Sequence, residues 1–366
     1  MSKETEEIEK SLQEAPAPAP VAPAKLSRRD LLSTGSTLVN LACSDNPYGG
    51  FLKGKYYFIV GDSASGKTFF SMSCFAEATL NHHFKGYRFI YDNIEDGCLI
   101  DLEKMFNEEV ADRMEPPVVD ENGEPIYSST LEEFYYHLED IIKEGKPFIY
   151  VLDSMDALTS EQEEDKFDEQ KKAFEKGTQT AGSYGDGKAK INSSHIRRVI
   201  RGVRETGSIL IILCQTRDNL GFGFEKKTRS GGRALKFYAT VELWTTIIKS
   251  IKKKVMNKDR EIGVRIEVQV KKNRITGRRL SVEVAIYPSY GIDDTTSCIE
   301  YLVSEGWWKV SKQKIKATEF NKSMSMRKLI QYIEANGLLP QLRAIVGSCW
   351  AKVQEECSLR RKKRYE

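Results

Sequence analysis

With 366 residues and 40% hydrophobic content the chain can bury one large core and still carry appendages. No run of about 18 apolar residues occurs, and the N-terminal "MSKETEEIEK" has no apolar signal core, so neither a membrane span nor secretion is indicated and an intracellular, cytoplasmic place of action is expected. The net charge is only +3, but residues 222–279 hold 17 Lys and Arg against 5 Asp and Glu, which implies a basic face for a polyanion. Seven cysteines without a C-x-x-C pair, several inside apolar runs such as "LIILCQ", and four histidines without ligand spacing argue against disulfides and zinc.

In chain order, residues 1–27 mix acids with "APAPAPVAPA", a composition that buries no core and makes an extended tether. From Tyr56 onward, short apolar runs ("YYFIV", "YRFIY", "FIYVL", "SILIIL") alternate with helical patterns. One pattern is Leu131, Phe134, Tyr135, Leu138, Ile141, Ile142; another is Ile196, Val199, Ile200, Val203. Continuous apolar strands between amphipathic helices predict an α/β fold whose mainly parallel sheet is covered on both faces. Three later runs, "FYATVELWTTII", "GVRIEVQV" and "LSVEVAIY", read as antiparallel additions at the sheet edge joined by basic hairpins. This core is expected over 28–310, and a helical C-terminal region with a basic tail, "LRRKKRYE", over 311–366.

The chemistry begins at the end of the first strand. "GDSASGKT", Gly61, Asp62, Ser63, Ala64, Ser65, Gly66, Lys67 and Thr68, lies between "YYFIV" and the helical "FFSMSCFAEATL", which is both the spacing and the context of a Walker A loop. Backbone N–H groups from Asp62 to Thr68 would wrap a β-phosphate at a helix N-terminus. Lys67 would reach the β- and γ-phosphates of ATP, and the Thr68 hydroxyl would ligate Mg²⁺. "FIYVLDS" ends a second strand in an acid, Asp153, at the Walker B position beside the metal. Hydrolysis also needs a carboxylate to orient water, and "RFIYDNIEDG" offers Asp92, Glu95 and Asp96, of which Glu95 is the chosen base.

A second feature follows the last of the apolar strands. "NLGFGFEKKTRSGGRALKFYAT" starts as a glycine-rich loop with Phe222 and Phe224 and the cations Lys226, Lys227, Arg229 and Arg233, then turns strand-like. Flat apolar rings beside positive charge on a mobile backbone suit a single nucleic-acid strand, whereas aromatics tucked back into the core would make it an ordinary surface loop. The segment 160–190 opens acidic ("SEQEEDKFDEQ"), which repels phosphate, so only its glycine-rich second half ("GSYGDGKAK") is a candidate for DNA contact.

Over roughly residues 32–310 the chain resembles the RecA recombinases, bacterial and phage-encoded (UvsX-like). The resemblance rests on "GFLKGKYYFIVGDSASGKT", "FIYVLDSMDALT", "LIILCQTRDNLGFG", "SGGRALKFYATVEL", "VQVKKNRITG" and "YGIDDTTSCIEYLVSEGWW", with "GGRALKFYA" the most specific of these runs. It implies a DNA-dependent ATPase that forms filaments on single-stranded DNA, pairs it with homologous double-stranded DNA, and works beside single-strand-binding and mediator proteins in the host cytoplasm. It further implies that the glycine-rich loop is the second DNA-binding loop and that Gln215 senses the γ-phosphate. By the same resemblance Lys272 and Arg274 reach into the neighbouring subunit's ATP site, and Phe237 lies near the subunit interface. Two alternatives stay open: a ring-forming helicase or motor on the same fold, and a nucleotide-switched DNA-binding scaffold that hydrolyses too slowly to matter.

Overall fold

The computed structural model describes residues 26–95, 101–177, 187–218, 227–229 and 231–361. Most of the tether, Asp96, part of the glycine-rich half of 160–190, Phe222, Phe224, Lys226 and the last five residues lie outside the described residues.

The strands of the central sheet are β1 (Lys55–Gly61), β2 (Arg88–Asn93), β3 (Met114–Glu115), β4 (Phe148–Asp153), β5 (Ile209–Asp218), β6 (Lys227–Arg229), β7 (Val241–Val255), β8 (Lys258–Asn273), β9 (Ser281–Tyr287) and β10 (Gly291–Ile292). They pair in the order β10-β9-β8-β7-β1-β5-β4-β2-β3, with β6 attached to β5. From β7 to β3 neighbours run parallel, and from β7 to β10 antiparallel. The unbroken apolar runs have a direct cause. Tyr57 and Ile59 of β1 enter one hydrophobic cluster while Tyr56, Phe58 and Val60 enter another, and β5 divides in the same way. A strand covered on both faces needs apolar residues at every position.

The helices of seven or more residues are α1 (Thr37–Ser44), α2 (Lys67–Thr79), α3 (Leu131–Lys143), α4 (Glu161–Glu175), α5 (Gly187–Thr206), α6 (Gly232–Tyr238), α7 (Asp294–Ser304), α8 (Met326–Ala335) and α9 (Leu339–Glu356). Leu131, Phe134, Tyr135, Leu138 and Ile141 of α3 and Ile196, Val199 and Val203 of α5 cover one sheet face. Thr130 starts α3 with a capping box: its side chain accepts from the Glu133 N–H, and Glu133 reaches back. The other face packs against α1, α2, α7, α8 and α9 through residues such as Leu38, Phe75, Leu302, Leu329 and Val346.

Three expectations need correction. β7 is not an antiparallel addition, because Val241–Thr245 pairs in parallel with Tyr57–Gly61 and only its other edge is antiparallel. "GRALKFY" is the helix α6 instead of the start of a strand: Gly231 and Gly232, at φ 82° and 77°, turn the chain in the left-handed region open to glycine. Leu235 and Ala239, four residues apart, are then both buried in the core, the spacing of one helix face. The C-terminal region is not helical throughout, since Lys309–Ser311, Lys314–Ala317 and Lys322–Met324 form a small antiparallel sheet before α8.

Candidate nucleotide and nucleic-acid site

The loop between β1 and α2 is shaped around backbone. A Cβ on Gly61 would lie 2.1 Å from the Thr245 hydroxyl, Ala64 sits at φ 59° and Gly66 at φ 86°, so the chain folds tightly with its amides available. The buried Ser65 hydroxyl bonds Thr245 Oγ1 at 2.7 Å and the Asp62 carbonyl at 2.7 Å, which ties the loop to β7. Ser63 and Ala64 are exposed at its crest. Lys67 Nζ donates to the Gly61 and Asp62 carbonyls at 3.0 and 2.8 Å, across the hollow that a phosphate chain would fill. Burial lowers the Lys67 pKa, and the nearby Asp153 and Glu95 carboxylates oppose the shift. A cation held on two backbone carbonyl oxygens suits an anionic ligand.

Thr68, on the first turn of α2, donates its hydroxyl to Asp153 Oδ2 at 2.7 Å, and the Tyr91 hydroxyl donates to the same oxygen at 2.9 Å. Burial raises the Asp153 pKa, opposed mainly by these two bonds. A hydroxyl and a partly buried carboxylate at this separation are hard oxygen donors of the kind magnesium takes with phosphates, so the residues fit the metal.

Of the three candidate acids Asp96 lies outside the described residues, and Asp92 and Glu95 are placed very differently. Asp92 is fully buried on the face away from the loop, accepting from the Ser128 N–H and hydroxyl and from the Tyr150 hydroxyl, with its pKa raised by burial. It serves packing and faces no water. Glu95, just past β2, is exposed and accepts from the Ser154 hydroxyl at 2.5 Å and from Gln215 Nε2 at 3.2 Å. Gln215 and Glu95 thus touch each other beside Lys67.

The basic loop is joined to this site at its stem. β6 pairs antiparallel with the end of β5, Lys227 opposite Asp218 and Arg229 opposite Thr216. Lys227 forms an ion pair with the Asp62 carboxylate, which also accepts from the Thr216 hydroxyl. The Lys227 and Thr216 bonds hold the Asp62 pKa below its ordinary value. Arg229 is placed differently from its neighbour: its side chain is 11% exposed and lies 3.0 Å from Glu242, whose side chain is 1% exposed. Arg233 is exposed on α6. Nothing in the sequence flagged Glu242, Thr216, Ser154 or Tyr91. Glu242 had one available signal, an acid between apolar residues in a strand packed on both faces.

Lys272 and Arg274 lie at the end of β8. Lys272 Nζ donates to the Lys236 and Phe237 carbonyls at 2.5 and 2.7 Å, and Arg274 donates to the Phe237 carbonyl at 2.7 Å, so both close the C-terminus of α6. Their charged groups stand 6.0 and 5.4 Å from the Phe237 ring, itself 61% exposed. Burial and then the adjacent Arg274 push the Lys272 pKa down to about 8.

A parallel sheet whose central strand feeds a glycine-bounded loop into a helix N-terminus, with an acid from another strand against that helix's threonine, defines a P-loop NTPase. The family model for the RecA N-terminal domain matches residues 119–293. Protein RecA of Cytophaga hutchinsonii is 28% identical over 287 residues, covering 75% of this chain and 69% of its own. Protein RecA of Helicobacter pylori is 29% identical over 279 residues (76% and 71%), and that of a Caulobacter species 25% over 338 residues (89% and 83%). Over these spans the chain is similar to RecA proteins.

Proposed function

We propose that this chain is a DNA-dependent ATPase that assembles on single-stranded DNA, aligns it with homologous double-stranded DNA, and releases it after hydrolysis. The reading is supported above all by one observation: the nucleotide loop and the stem of the basic loop share Asp62, which bonds Thr216 of β5 and Lys227 of β6. A change at the phosphates would therefore be felt at the DNA loop through adjoining residues. In this reading the amides of residues 61–68 and Lys67 hold the phosphates of ATP, Thr68 and Asp153 hold Mg²⁺, and Glu95 orients the attacking water. Bound magnesium would neutralise phosphate charge. Gln215, bonded to Glu95, would exchange that partner for the γ-phosphate. Lys272 and Arg274 would act on the neighbouring subunit's phosphates with Phe237 in the same interface, and Phe222, Phe224, Lys226, Lys227 and Arg233 would contact the strand. No described helix is long and apolar enough to cross a membrane, in keeping with action on DNA in the cytoplasm of a bacterial host. The phage-type subgroup, and work alongside single-strand-binding and mediator proteins, belong to the same proposal. The deciding experiment is steady-state ATP hydrolysis with and without single-stranded DNA. Stimulation is expected, and its absence would reject the reading.

A further inference from the structure

The acid at the end of β4 is held by a donor that no motif announces. Asp153 Oδ2 accepts from two hydroxyls, Thr68 Oγ1 at 2.7 Å and the Tyr91 phenol at 2.9 Å. Strand register brings the phenol there. Asn93 of β2 stands opposite Asp153 of β4 and Tyr91 opposite Val151, so Tyr91 and Asp153 share one sheet face and lie two positions apart along it. Two strand residues span about 6.6 Å, a gap that a phenol closes and a short hydroxyl side chain does not.

Packing fixes where that hydroxyl points. The Tyr91 ring is 7% exposed and belongs to the hydrophobic cluster that also takes Phe75 of α2 and Phe89 of β2. Phe89, two residues earlier on the same face, shows that a plain ring suffices there for packing. The extra oxygen of Tyr91 instead meets the carboxylate, and a buried phenol with a partner is retained at no cost to the core.

The two donors to Asp153 stand differently toward a metal. Thr68 is itself a proposed magnesium ligand, so its oxygen has to serve the ion as well as the acid. Tyr91 comes from β2 and has no place among the ligands, so its bond to Oδ2 can persist whether or not the site is loaded. A carboxylate anchored through one oxygen by a packed donor presents its other oxygen in one orientation.

Resting on the nucleotide-site reading above, we propose that Tyr91 is a positioning residue for the magnesium site: its hydroxyl fixes the Asp153 carboxylate so that Asp153 and Thr68 offer their oxygens to the ion together. It acts through Asp153 and touches neither phosphate nor metal. Groups that hydrogen-bond a ligating carboxylate orient it, and their loss typically lowers metal affinity about 10- to 100-fold.

The test compares Tyr91→Phe, which keeps the ring and removes one oxygen, with Asp153→Asn and wild type as full-length proteins. Affinity for a fluorescent ADP analogue is measured in EDTA and then across a magnesium titration, beside ATP hydrolysis on single-stranded DNA at each magnesium concentration and chemical denaturation in metal-free buffer. Tyr91→Phe should bind the analogue like wild type in EDTA, yet need about 10-fold more magnesium to reach half of the metal-dependent gain in affinity, with the hydrolysis midpoint displaced in the same direction. A magnesium midpoint equal to wild type would overturn the inference. So would the same loss of affinity in EDTA as in magnesium, or a lowered denaturation midpoint without any change in magnesium requirement, either of which assigns the hydroxyl to packing alone. Wild-type magnesium dependence in Asp153→Asn would instead reject the metal reading of that acid, on which this inference rests.

Discussion

At the scale of single residues, two lysines carry the most consequence. Lys67 bridges the Gly61 and Asp62 carbonyls at the mouth of the phosphate loop. Lys67→Ala should cut turnover by about 10²- to 10³-fold, the cost of one preorganised donor, with the circular dichroism spectrum unchanged. Wild-type turnover in that variant would remove the site. Lys272 invites a test by pH. With its pKa lowered to about 8, it loses its proton as pH rises through that value, well before an ordinary lysine near 10.4. If its charge is needed in trans, DNA-stimulated kcat/KM, which reports the free enzyme, should fall above about pH 8. Lys272→Arg stays charged and should extend the plateau upward, and superimposable profiles would dismiss the role.

Among elements, β6 shows why neighbouring cations in one motif do different work. Lys227 faces the phosphate loop, at a side-chain exposure of 44%, and its pair with Asp62 contributes little stability. Its value is positional. Lys227→Ala should shrink the salt slope of single-strand binding by about 0.7, one contact, and should narrow the difference in DNA affinity between ATP-bound and nucleotide-free protein. An unchanged slope together with an unchanged affinity ratio would count against both roles. Arg229 points the other way, to Glu242 beneath α6. Glu242→Ala leaves that guanidinium buried without its counter-charge and should cost about 3 to 5 kcal/mol in chemical denaturation, whereas an unaltered midpoint would show the pair to be dispensable. A DNA-binding defect in an Arg229 variant therefore has to be read beside its stability.

Across the whole molecule, the proposed cations of β8 and the phosphate loop occupy different parts of the surface, so each subunit would offer half of a shared site on either side. Mixing Lys67→Ala with Arg274→Ala subunits forms some interfaces in which an intact loop meets intact cations. Partial recovery of DNA-stimulated hydrolysis is expected on mixing, and no recovery at any ratio, despite co-assembly, would argue that the cations act within their own subunit or not at all. Electron microscopy of complexes on DNA of increasing length separates filament from ring, because only an open assembly lengthens with its template.

The sequence by itself determined the sheet, the phosphate loop and the two acids nearest it. Those features depend on short-range order: unbroken apolar runs report strands covered on both faces, and "GDSASGKT" acts through its own backbone between one strand and one helix. Asp92 and Glu95 are both acids of one short sequence run, and only the fold separates them: Asp92 is buried beside Tyr150, and Glu95, past the strand, lies beside Gln215. Only the tertiary structure decided which partner each cation has. Lys227 and Arg229 are two residues apart in an identical basic run, yet one meets Asp62, 165 positions away, and the other meets Glu242. The direction of β7 and the helix at "GRALKFY" were hidden for the same reason: pairing and burial join residues far apart in the chain, and neither periodicity nor composition within a short window carries that information.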